Sequence, residues 1–253
     1  MSPAAVVTGG GSGIGAATAE RLARDGFDVV VAGRRMGRLT EVAQRIGPSA
    51  RPVVMDVTDP ASVADAASQI DSCDVLINNA GVALGADPVE KGDPGDWLAM
   101  FDTNVAGTMR VTQAFLPALR RSPHATIVTV TSTAAEVTYP GGSGYTATKH
   151  AERAFVETLR LELIGERIRV IEVCPGMVHT PEFSVLRFRG DQDKADAVYE
   201  AVDRPLTAED VAECIAMCVR LPQHINVDRL VVRPVAQRSQ FHLHRGPIDW
   251  GVA

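Results

Sequence analysis

The sequence predicts an α/β fold in which a doubly wound, mostly parallel sheet of seven strands carries helices on both faces. Short apolar runs alternate with longer segments of helical periodicity, and strands flanked by helices at this spacing favour a parallel sheet. The length of 253 residues fits one domain over 1–253. Hydrophobic residues make up 45% and charged residues 22%, which excludes a disordered or collagen-like chain.

The predicted elements follow one another along the chain without a repeat or a linker. A glycine-rich turn joins the first strand to the first helix, and Asp59-Pro60 is a start signal for the third helix. The strands are predicted at 4–8, 29–32, 52–55, 75–77, 125–131, 168–174 and 227–232. The other helices are predicted at 13–25, 37–46, 94–121, 143–165 and 207–220.

One connection is long and irregular. It covers about 177–206, after the sixth strand, and a tail over 238–253 follows the last one. Open α/β sheets bind ligands at the carboxyl ends of their strands, so 177–206 is predicted to be the substrate loop. The alternative is a plain surface loop that contains a helix.

The net charge and the hydropathy of the chain argue against a nucleic-acid-binding, membrane-spanning or secreted protein. The net charge is −6, which argues against a partner that is a nucleic acid. The apolar runs are too short to span a membrane, and the first residues lack the basic region of a signal peptide. We therefore expect a cytoplasmic protein that acts on a small molecule.

No metal site is expected. Cys214 and Cys218 lie four residues apart on a predicted helix, where core thiols are the favoured interpretation over metal ligands. His242 and His244 form a second candidate pair, but no third ligand is evident near them.

A glycine-rich segment, TGGGSGIG at 8–15, lies between the first strand and the first helix. Glycines permit a tight turn and let backbone N–H groups approach a pyrophosphate at a helix N-terminus. The spacing is G-x-x-x-G-x-G rather than G-x-G-x-x-G, but the strand–turn–helix context indicates a nucleotide site. Its predicted cofactor contacts are Gly9, Gly11, Ser12, Gly13, Ile14 and Gly15.

The second strand is followed by Arg34 and Arg35, where an NAD site would place a carboxylate. A guanidinium can bind a phosphate through two hydrogen bonds, so these arginines favour the 2′-phosphate of NADP(H) over NAD(H). The alternative is that both arginines merely solvate the start of a helix.

Three residues indicate proton-transfer chemistry. Tyr145 and Lys149 are predicted on one face of a helix, and Ser132 follows the fifth strand. Only three of the 25 basic residues are lysines, and one of them is Lys149. A lysine cation can lower the pKa of a nearby phenol, which can then exchange a proton with a carbonyl or alcohol oxygen. Ser132 can hydrogen-bond that same oxygen.

With these motifs the chain resembles the single-domain short-chain dehydrogenases/reductases over nearly its whole length. The matching segments are TGGGSGIG at 8–15, NNAG at 78–81, DTNVAG around Asn104, Ser132, YTATK at 145–149 and PGMVHT at 175–180. The resemblance implies a Rossmann-like fold and the catalytic tetrad Asn104, Ser132, Tyr145 and Lys149. Tyr145 would be the acid/base, Lys149 would bind the nicotinamide ribose, and Asn104 would hold a water of a proton relay.

The resemblance also implies further cofactor contacts. The residues expected near the adenine are Asp56 and Val57. Those expected along the cofactor are Asn79, Ala80 and Gly81. Those expected around the nicotinamide are Pro175, Gly176, Val178 and Thr180. Tyr145 and Lys149 would contact the cofactor too. A homotetramer built through the long helices at 94–121 and 143–165 is implied as well.

Within that family, AGRR at 32–35, EFSVLRFRGD at 182–191 and LPQHINVDRLVVRPVAQ at 221–237 resemble the NADP-dependent serine/3-hydroxy acid dehydrogenases. This likeness implies oxidation or reduction of a small 3-hydroxy acid. A ketone or aldehyde reductase of secondary metabolism, of the clavulanate type, is one alternative. A non-catalytic NADP(H) sensor is another.

The candidate substrate contacts are Ser132, His179, Arg187 and Arg189. Two arginines in the substrate loop of an acidic protein suggest that one of them binds a substrate carboxylate. The alternative is that both are solvated or pair with Asp191 and Asp193. His179 is either a substrate contact or a plain loop histidine.

Overall fold

The computed structural model describes residues 2–251, so Met1 and the last two residues of the predicted tail lie outside the described residues. The predicted seven-stranded sheet is confirmed, and all six strand pairings within it are parallel. The strands are β1 (Ala4–Thr8), β2 (Asp28–Gly33), β3 (Ala50–Val54), β4 (Val75–Asn78), β5 (Ala125–Val130), β6 (Ile168–Pro175) and β7 (Arg229–Val232). Their order across the sheet is β3-β2-β1-β4-β5-β6-β7.

Helices cover both faces of this sheet, as predicted. They are α1 (Gly13–Arg24), α2 (Met36–Ile46), α3 (Pro60–Ser68), α4 (Pro94–Phe101), α5 (Gly107–Arg121), α6 (Ser143–Glu162), α7 (Phe183–Arg187), α8 (Gln192–Ala197) and α9 (Ala208–Arg220). Among these described helices, none is long and apolar enough to cross a bilayer.

Several boundaries differ from the prediction by a few residues, and two of the differences have a physical reason. The stretch predicted as one regular helix over 94–121 is divided by a π-helical segment, Asp102–Ala106, between α4 and α5. Gly107 follows this segment and lies so close to Val57 that an added Cβ would approach its Cγ2 to 2.7 Å. Strand β3 starts two residues earlier than predicted, and Pro52 is tolerated in it because β3 is at the edge of the sheet.

The apolar core is split between the two faces of the sheet. Val6 and Leu76 pack with Phe115 on one face, whereas Val7 and Ile77 belong to the cluster on the other face. Successive strand residues alternate between faces, and both faces are covered, so the central strands β1 and β4 are mostly apolar. This arrangement leaves the carboxyl ends of the strands as the open edge at which a ligand can bind.

The predicted substrate loop over 177–206 contains α7 and α8, and the tail is fastened to it. The Asp203 carboxylate accepts hydrogen bonds from the Ile248 backbone N–H at 2.8 Å and from Trp250 Nε1 at 2.9 Å. The Arg204 guanidinium lies over the Trp250 ring at 4.7 Å. The loop and the tail are therefore connected to each other beside the carboxyl ends of the strands.

Candidate active site

A cavity of about 470 Å³ opens at the carboxyl ends of the strands. The glycine-rich turn, the ends of the central strands, α6 and the substrate loop surround it. Most residues predicted from the sequence line it: Gly9, Gly11, Ser12, Gly13, Ile14, Arg34, Arg35, Asp56, Val57, Asn79, Ala80, Gly81, Ser132, Tyr145, Lys149, Pro175, Gly176, Val178, Thr180 and Arg187.

Two predicted substrate contacts lie outside this cavity. His179 is exposed, and its ring packs against Tyr199 with a centroid separation of 4.4 Å. Arg189 is on the surface, where it pairs with Asp96 at 2.7 Å. The backbone at Arg189 has a φ of 55°, so the chain changes direction there after α7. The structure therefore does not bring either side chain to the site.

The glycine-rich turn is tied to the segment after β4. Thr8 Oγ1 accepts hydrogen bonds from the backbone N–H groups of Asn79 and Ala80, each at 3.0 Å. A Cβ on Gly9 would lie 2.9 Å from Asn79 Nδ2, so this approach requires glycine. Gly15 lies beneath the turn rather than in the cavity, and a Cβ there would collide with the Gly9 carbonyl. The turn thus holds the N-terminus of α1 open toward the cavity, which is an arrangement that suits a pyrophosphate.

A carboxylate from the substrate loop contacts the polar groups beside this turn. Glu182 Oε2 lies 2.6 Å from Arg35 Nη2 and accepts a hydrogen bond from Ser12 Oγ at 3.0 Å. The hydrogen bond from Arg35 lowers the pKa of Glu182 below its usual range. Arg34 and Arg35 are exposed at the rim of the cavity. Helix N–H groups, a hydroxyl and two guanidiniums form a donor set that fits the phosphates of NADP.

Tyr145 and Lys149 lie one turn apart on α6, and both are buried against the cavity. Lys149 Nζ donates to the Val130 carbonyl at 3.2 Å and to Glu152 Oε2 at 2.6 Å. Nζ also lies 5.9 Å from the centroid of the Tyr145 ring. At the end of β5, Ser132 Oγ accepts a hydrogen bond from the Ala134 N–H at 3.1 Å, so its own proton is free for another acceptor.

The electrostatics of this group differ in one respect from the expectation. Burial raises the pKa of Tyr145, and this effect outweighs the opposing influence of Lys149. Lys149 therefore lowers the pKa of the phenol, as predicted, but the net change in that pKa is upward. For Lys149 itself, burial opposes the charge, but the nearby Glu152 carboxylate, together with Tyr145, raises the pKa of the ammonium.

Asn104 lies in the π-helical segment and is fully buried rather than part of the cavity wall. Its Oδ1 accepts from the Val82 N–H at 2.8 Å, and its Nδ2 donates to the Val82 carbonyl at 2.9 Å and to Thr148 Oγ1 at 3.2 Å. The side chain thus joins α6 to the segment after β4. Its assignment to a water relay stays a prediction.

Arg187 is the predicted substrate arginine that does reach the cavity. Its guanidinium donates to the carbonyls of Gly85 and Gly141 at 3.3 and 3.1 Å, and to Tyr139 Oη at 3.2 Å. Within residues 2–251 no carboxylate lies within 4.0 Å of it, so the predicted pairing with Asp191 or Asp193 is absent there. A fixed positive charge without an ion-pair partner therefore faces the cavity.

Sequence reasoning missed several residues of the site. Glu152 could have been found, because it follows Lys149 by three residues on a predicted helix and therefore shares its face. Glu182, Gln237 and Gln240 had no local signal, since they reach the cavity from the loop and the tail. Gln237 Oε1 accepts from the Met177 N–H at 2.8 Å, which brings the tail against the end of β6.

The profile of the short chain dehydrogenase family matches residues 3–187 of this chain. The chain belongs to the short-chain dehydrogenase family. A solved structure titled the closed form of serine dehydrogenase complexed with NADP⁺ shares the fold with a TM-score of 0.90 at 36% identity. That alignment covers 96% of this chain and 99% of the solved one.

Two characterised relatives align over almost their whole length. Sulfoacetaldehyde reductase 2 of Chromohalobacter salexigens is 41% identical, with 97% of this chain and 100% of the relative covered. The NADP-dependent 3-hydroxy acid dehydrogenase of Escherichia coli is 36% identical, with coverages of 95% and 98%.

This short-chain dehydrogenase is an oxidoreductase with NADP as its cofactor. The alternative of a non-catalytic sensor is therefore wrong. In the described part of the chain, no group of three or more His, Cys, Asp or Glu side chains could hold a metal ion. Cys214 and Cys218, the candidate pair on α9, are free thiols.

Proposed function

We propose that this short-chain dehydrogenase interconverts a small 3-hydroxy acid and its 3-oxo acid. The observation that supports this proposal is the position of Arg187, which lines the same cavity as Ser132, Tyr145 and Lys149. One cavity thus combines groups for proton transfer with a fixed cation that could bind the acid. The substrate would lie between them, with its hydroxyl toward Tyr145.

Arg187 is suited to bind an anion. Its side chain has five N–H donors in a rigid planar fork, and three acceptors of the protein use part of that fork. The centroids of the Tyr139 and Phe188 rings lie 5.5 and 5.9 Å from the guanidinium carbon, which is within the range of cation–π attraction. The remaining donors can bind a carboxylate without rearrangement of the side chain.

The proton-transfer residues have separate tasks in this proposal. In the oxidation direction, Tyr145 takes the proton of the substrate hydroxyl, while Ser132 Oγ donates a hydrogen bond to the same oxygen. Lys149 keeps a positive charge beside the phenol and stabilises its deprotonated form. A bound NADP⁺ would supply the hydride acceptor for the carbon that carries the hydroxyl. The reverse sequence returns a proton from Tyr145 to the carbonyl oxygen.

The residues that would hold NADP lie at the other end of the cavity. The N–H groups at the start of α1 would bind the pyrophosphate, and Arg34, Arg35 and Ser12 would bind the 2′-phosphate. Arginine is suited to the 2′-phosphate because its planar fork matches two phosphate oxygens.

Reduction of a small anionic aldehyde is the second candidate function. Sulfoacetaldehyde, serine and a 3-hydroxy acid are the substrates in the names of the similar proteins, and each carries an anionic group close to the reacting carbon. A sulfonate is tetrahedral rather than planar, but it can present two of its three oxygens to Arg187 as a carboxylate presents its two. The chemistry at Tyr145 would be unchanged.

Steady-state kinetics on a panel of small acids test the proposal. The panel contains L-serine, L-allo-threonine and 3-hydroxypropionate for oxidation and sulfoacetaldehyde for reduction. Arg187→Ala should lower kcat/KM on the preferred acid by about 10- to 100-fold, because a hydrogen bond to a charged group is worth roughly 1.5–3 kcal/mol. Arg189→Ala, a change to the neighbouring surface arginine, is the matched control and should leave kcat/KM within about twofold.

A neutral substrate separates anion recognition from general damage. The weaker turnover of 3-hydroxypropionamide should be nearly equal in the parent enzyme and in Arg187→Ala. Equal losses on the acid and on the amide would contradict a role of Arg187 in binding the anion. Turnover of sulfoacetaldehyde without turnover of any hydroxy acid would favour the second candidate.

The assembly and location belong to the same proposal. We propose that the single domain forms a cytoplasmic homotetramer, with α4, α5 and α6 at the contacts between subunits. Large apolar side chains are exposed on these helices, among them Leu98, Phe101 and Leu161. Light scattering measures the mass in solution, and a mass near 27 kDa would contradict this assembly.

A further inference from the structure

A buried carboxylate lies behind the lysine of the active site. Glu152 is 1% exposed and belongs to α6, one turn after Lys149. Its Oε2 accepts from Lys149 Nζ at 2.6 Å, and its Oε1 accepts from Thr108 Oγ1 at 3.3 Å. The proton-transfer steps described above do not use this carboxylate, although it contacts one of their residues.

Removing a carboxylate from water costs several kcal/mol, and a close cation recovers that cost only with good geometry. Lys149 alone would not need such a partner, because a buried lysine can also lose its proton. The pair therefore has the effect of keeping the ammonium charged in a place where burial would discharge it. That charge is the property on which the ionisation of Tyr145 depends.

The pair also determines where the ammonium points. Nζ has three N–H donors, and the Val130 carbonyl of β5 and Glu152 occupy two of them. The third remains available toward the cavity, which Lys149 lines. One contact to β5 and one within α6 thus fix the head group of a flexible side chain.

Charged and titratable groups approach the pair from several elements. Tyr145 is on α6, and Glu172 and Cys174 belong to β6. Glu172 is itself paired with Arg229 of β7 at 2.8 Å. Each of the two inner carboxylates therefore has a cation of its own.

We propose that Glu152 is a positioning residue for the reaction, one that holds the Lys149 ammonium in place and balances its charge beside Tyr145. The proposal rests on the proposed role of Tyr145 as the acid/base. Glu152→Gln removes the negative charge and keeps the shape of the side chain. Both protons of the Tyr145–Lys149 pair should then leave at lower pH, because a negative charge near either group holds its proton more tightly.

The first test is a titration that does not depend on turnover. The chain has three tyrosines, so the ultraviolet absorbance of tyrosinate in a protein with and without Tyr145→Phe isolates the signal of Tyr145. Glu152→Gln should move the midpoint of that signal to lower pH by roughly one unit. A midpoint that stays in place would overturn the proposal, whereas a rise would show that Lys149 loses its place or its charge beside the phenol once Glu152 no longer holds it.

The second test is the pH profile of kcat/KM for oxidation with NADP⁺. Both limbs of the profile should move to lower pH in Glu152→Gln, whereas a merely structural role would lower the rate at every pH alike. Glu152→Asp keeps the charge and should restore the limbs toward their original positions. Glu162→Gln changes an exposed glutamate of the same helix and should leave the profile unchanged.

A measurement on the parent protein covers the case in which Glu152→Gln does not fold. With lysine labelled at its side-chain nitrogen, NMR resolves the three lysines Lys91, Lys149 and Lys194 during a pH titration. Lys149 should keep its proton above the usual lysine range. Loss of the proton below that range, as burial without an effective partner would cause, would overturn the proposal.

These experiments distinguish two kinds of failure. If Tyr145→Phe retained turnover, the proposed function would be wrong, and the absorbance titration would still test the pairing of Glu152 with Lys149. If Tyr145→Phe were inactive but the titration midpoint did not move, only the role of Glu152 would be wrong.

Discussion

Two ion pairs with the same separation lie at opposite ends of the cavity. Lys149 and Glu152 are 2.6 Å apart with side chains 5% and 2% exposed, and Arg35 and Glu182 are 2.6 Å apart with side chains 58% and 28% exposed. In the buried pair each charge needs the other, because water cannot replace a lost partner. In the exposed pair of Arg35 and Glu182, water, salt ions or another anion can replace the lost partner. Burial, rather than distance, decides which contact is permanent.

The exposed pair involves the groups that the sequence assigns to the cofactor. Glu182 Oε2 lies between Ser12 Oγ and Arg35 Nη2, which are both predicted to bind NADP. A phosphate oxygen in that place would make the same two contacts. The phosphate and the carboxylate would therefore compete for one set of donors.

The largest expected effect comes from breaking each pair in turn. Lys149→Met leaves the Glu152 carboxylate buried without a partner and should lower the free energy of unfolding by about 3–5 kcal/mol. Arg35→Met should lower it by less than about 1 kcal/mol, since Glu182 can be solvated. Urea denaturation followed by circular dichroism measures both values. A loss below about 1 kcal/mol for Lys149→Met would show that Glu152 escapes the penalty by taking up a proton.

A smaller effect should appear in cofactor affinity when the carboxylate of the exposed pair is neutralised. Glu182→Gln removes the competing charge and should lower the Kd for NADPH by about three- to tenfold, as expected for a weak, partly solvated ion pair. The Kd for NADH, which lacks the 2′-phosphate, should hardly change. Fluorescence titration of the reduced cofactors measures both affinities.

Arg35→Met is the opposing control in this titration, and it should weaken NADPH binding selectively. A second comparison concerns folding stability, measured by urea denaturation over a series of pH values. The pKa of Glu182 is lowered by Arg35, so its stabilising contribution is present above the ordinary glutamate pKa and is lost as the pH falls through the lowered value. The parent protein and Glu182→Gln should therefore converge in stability only in acid. Weaker NADPH binding in Glu182→Gln would mean that the carboxylate assists the cofactor instead of competing with it.

The sequence was sufficient where a signal is local. The turn between β1 and α1 depends on glycines within eight residues, and the pairing of Tyr145 with Lys149 depends on one helical turn. Such features need only the period of the helix and the rules of turns. The covering of both faces of the sheet by helices follows from the alternation of strands and helices along the chain.

The sequence was insufficient where a contact joins distant segments. Glu152 shares a predicted helix face with Lys149, but its burial depends on how α5, β5 and β6 pack around it. Glu182 reaches Arg35 across 147 positions of the chain, a distance that no periodicity encodes. The place of Arg189 outside the cavity involves a positive φ after α7 and a partner, Asp96, 93 positions away in the chain.

The attachment of the tail to the substrate loop has a consequence for exchanging parts between related enzymes. Asp203 accepts hydrogen bonds from Ile248 and Trp250. A graft of residues 177–206 alone into a related enzyme would therefore lack these two hydrogen-bond partners. The transplantable unit is the loop together with its tail, two segments separated in the chain by α9 and β7. A graft that tests what the loop contributes would therefore have to carry both segments.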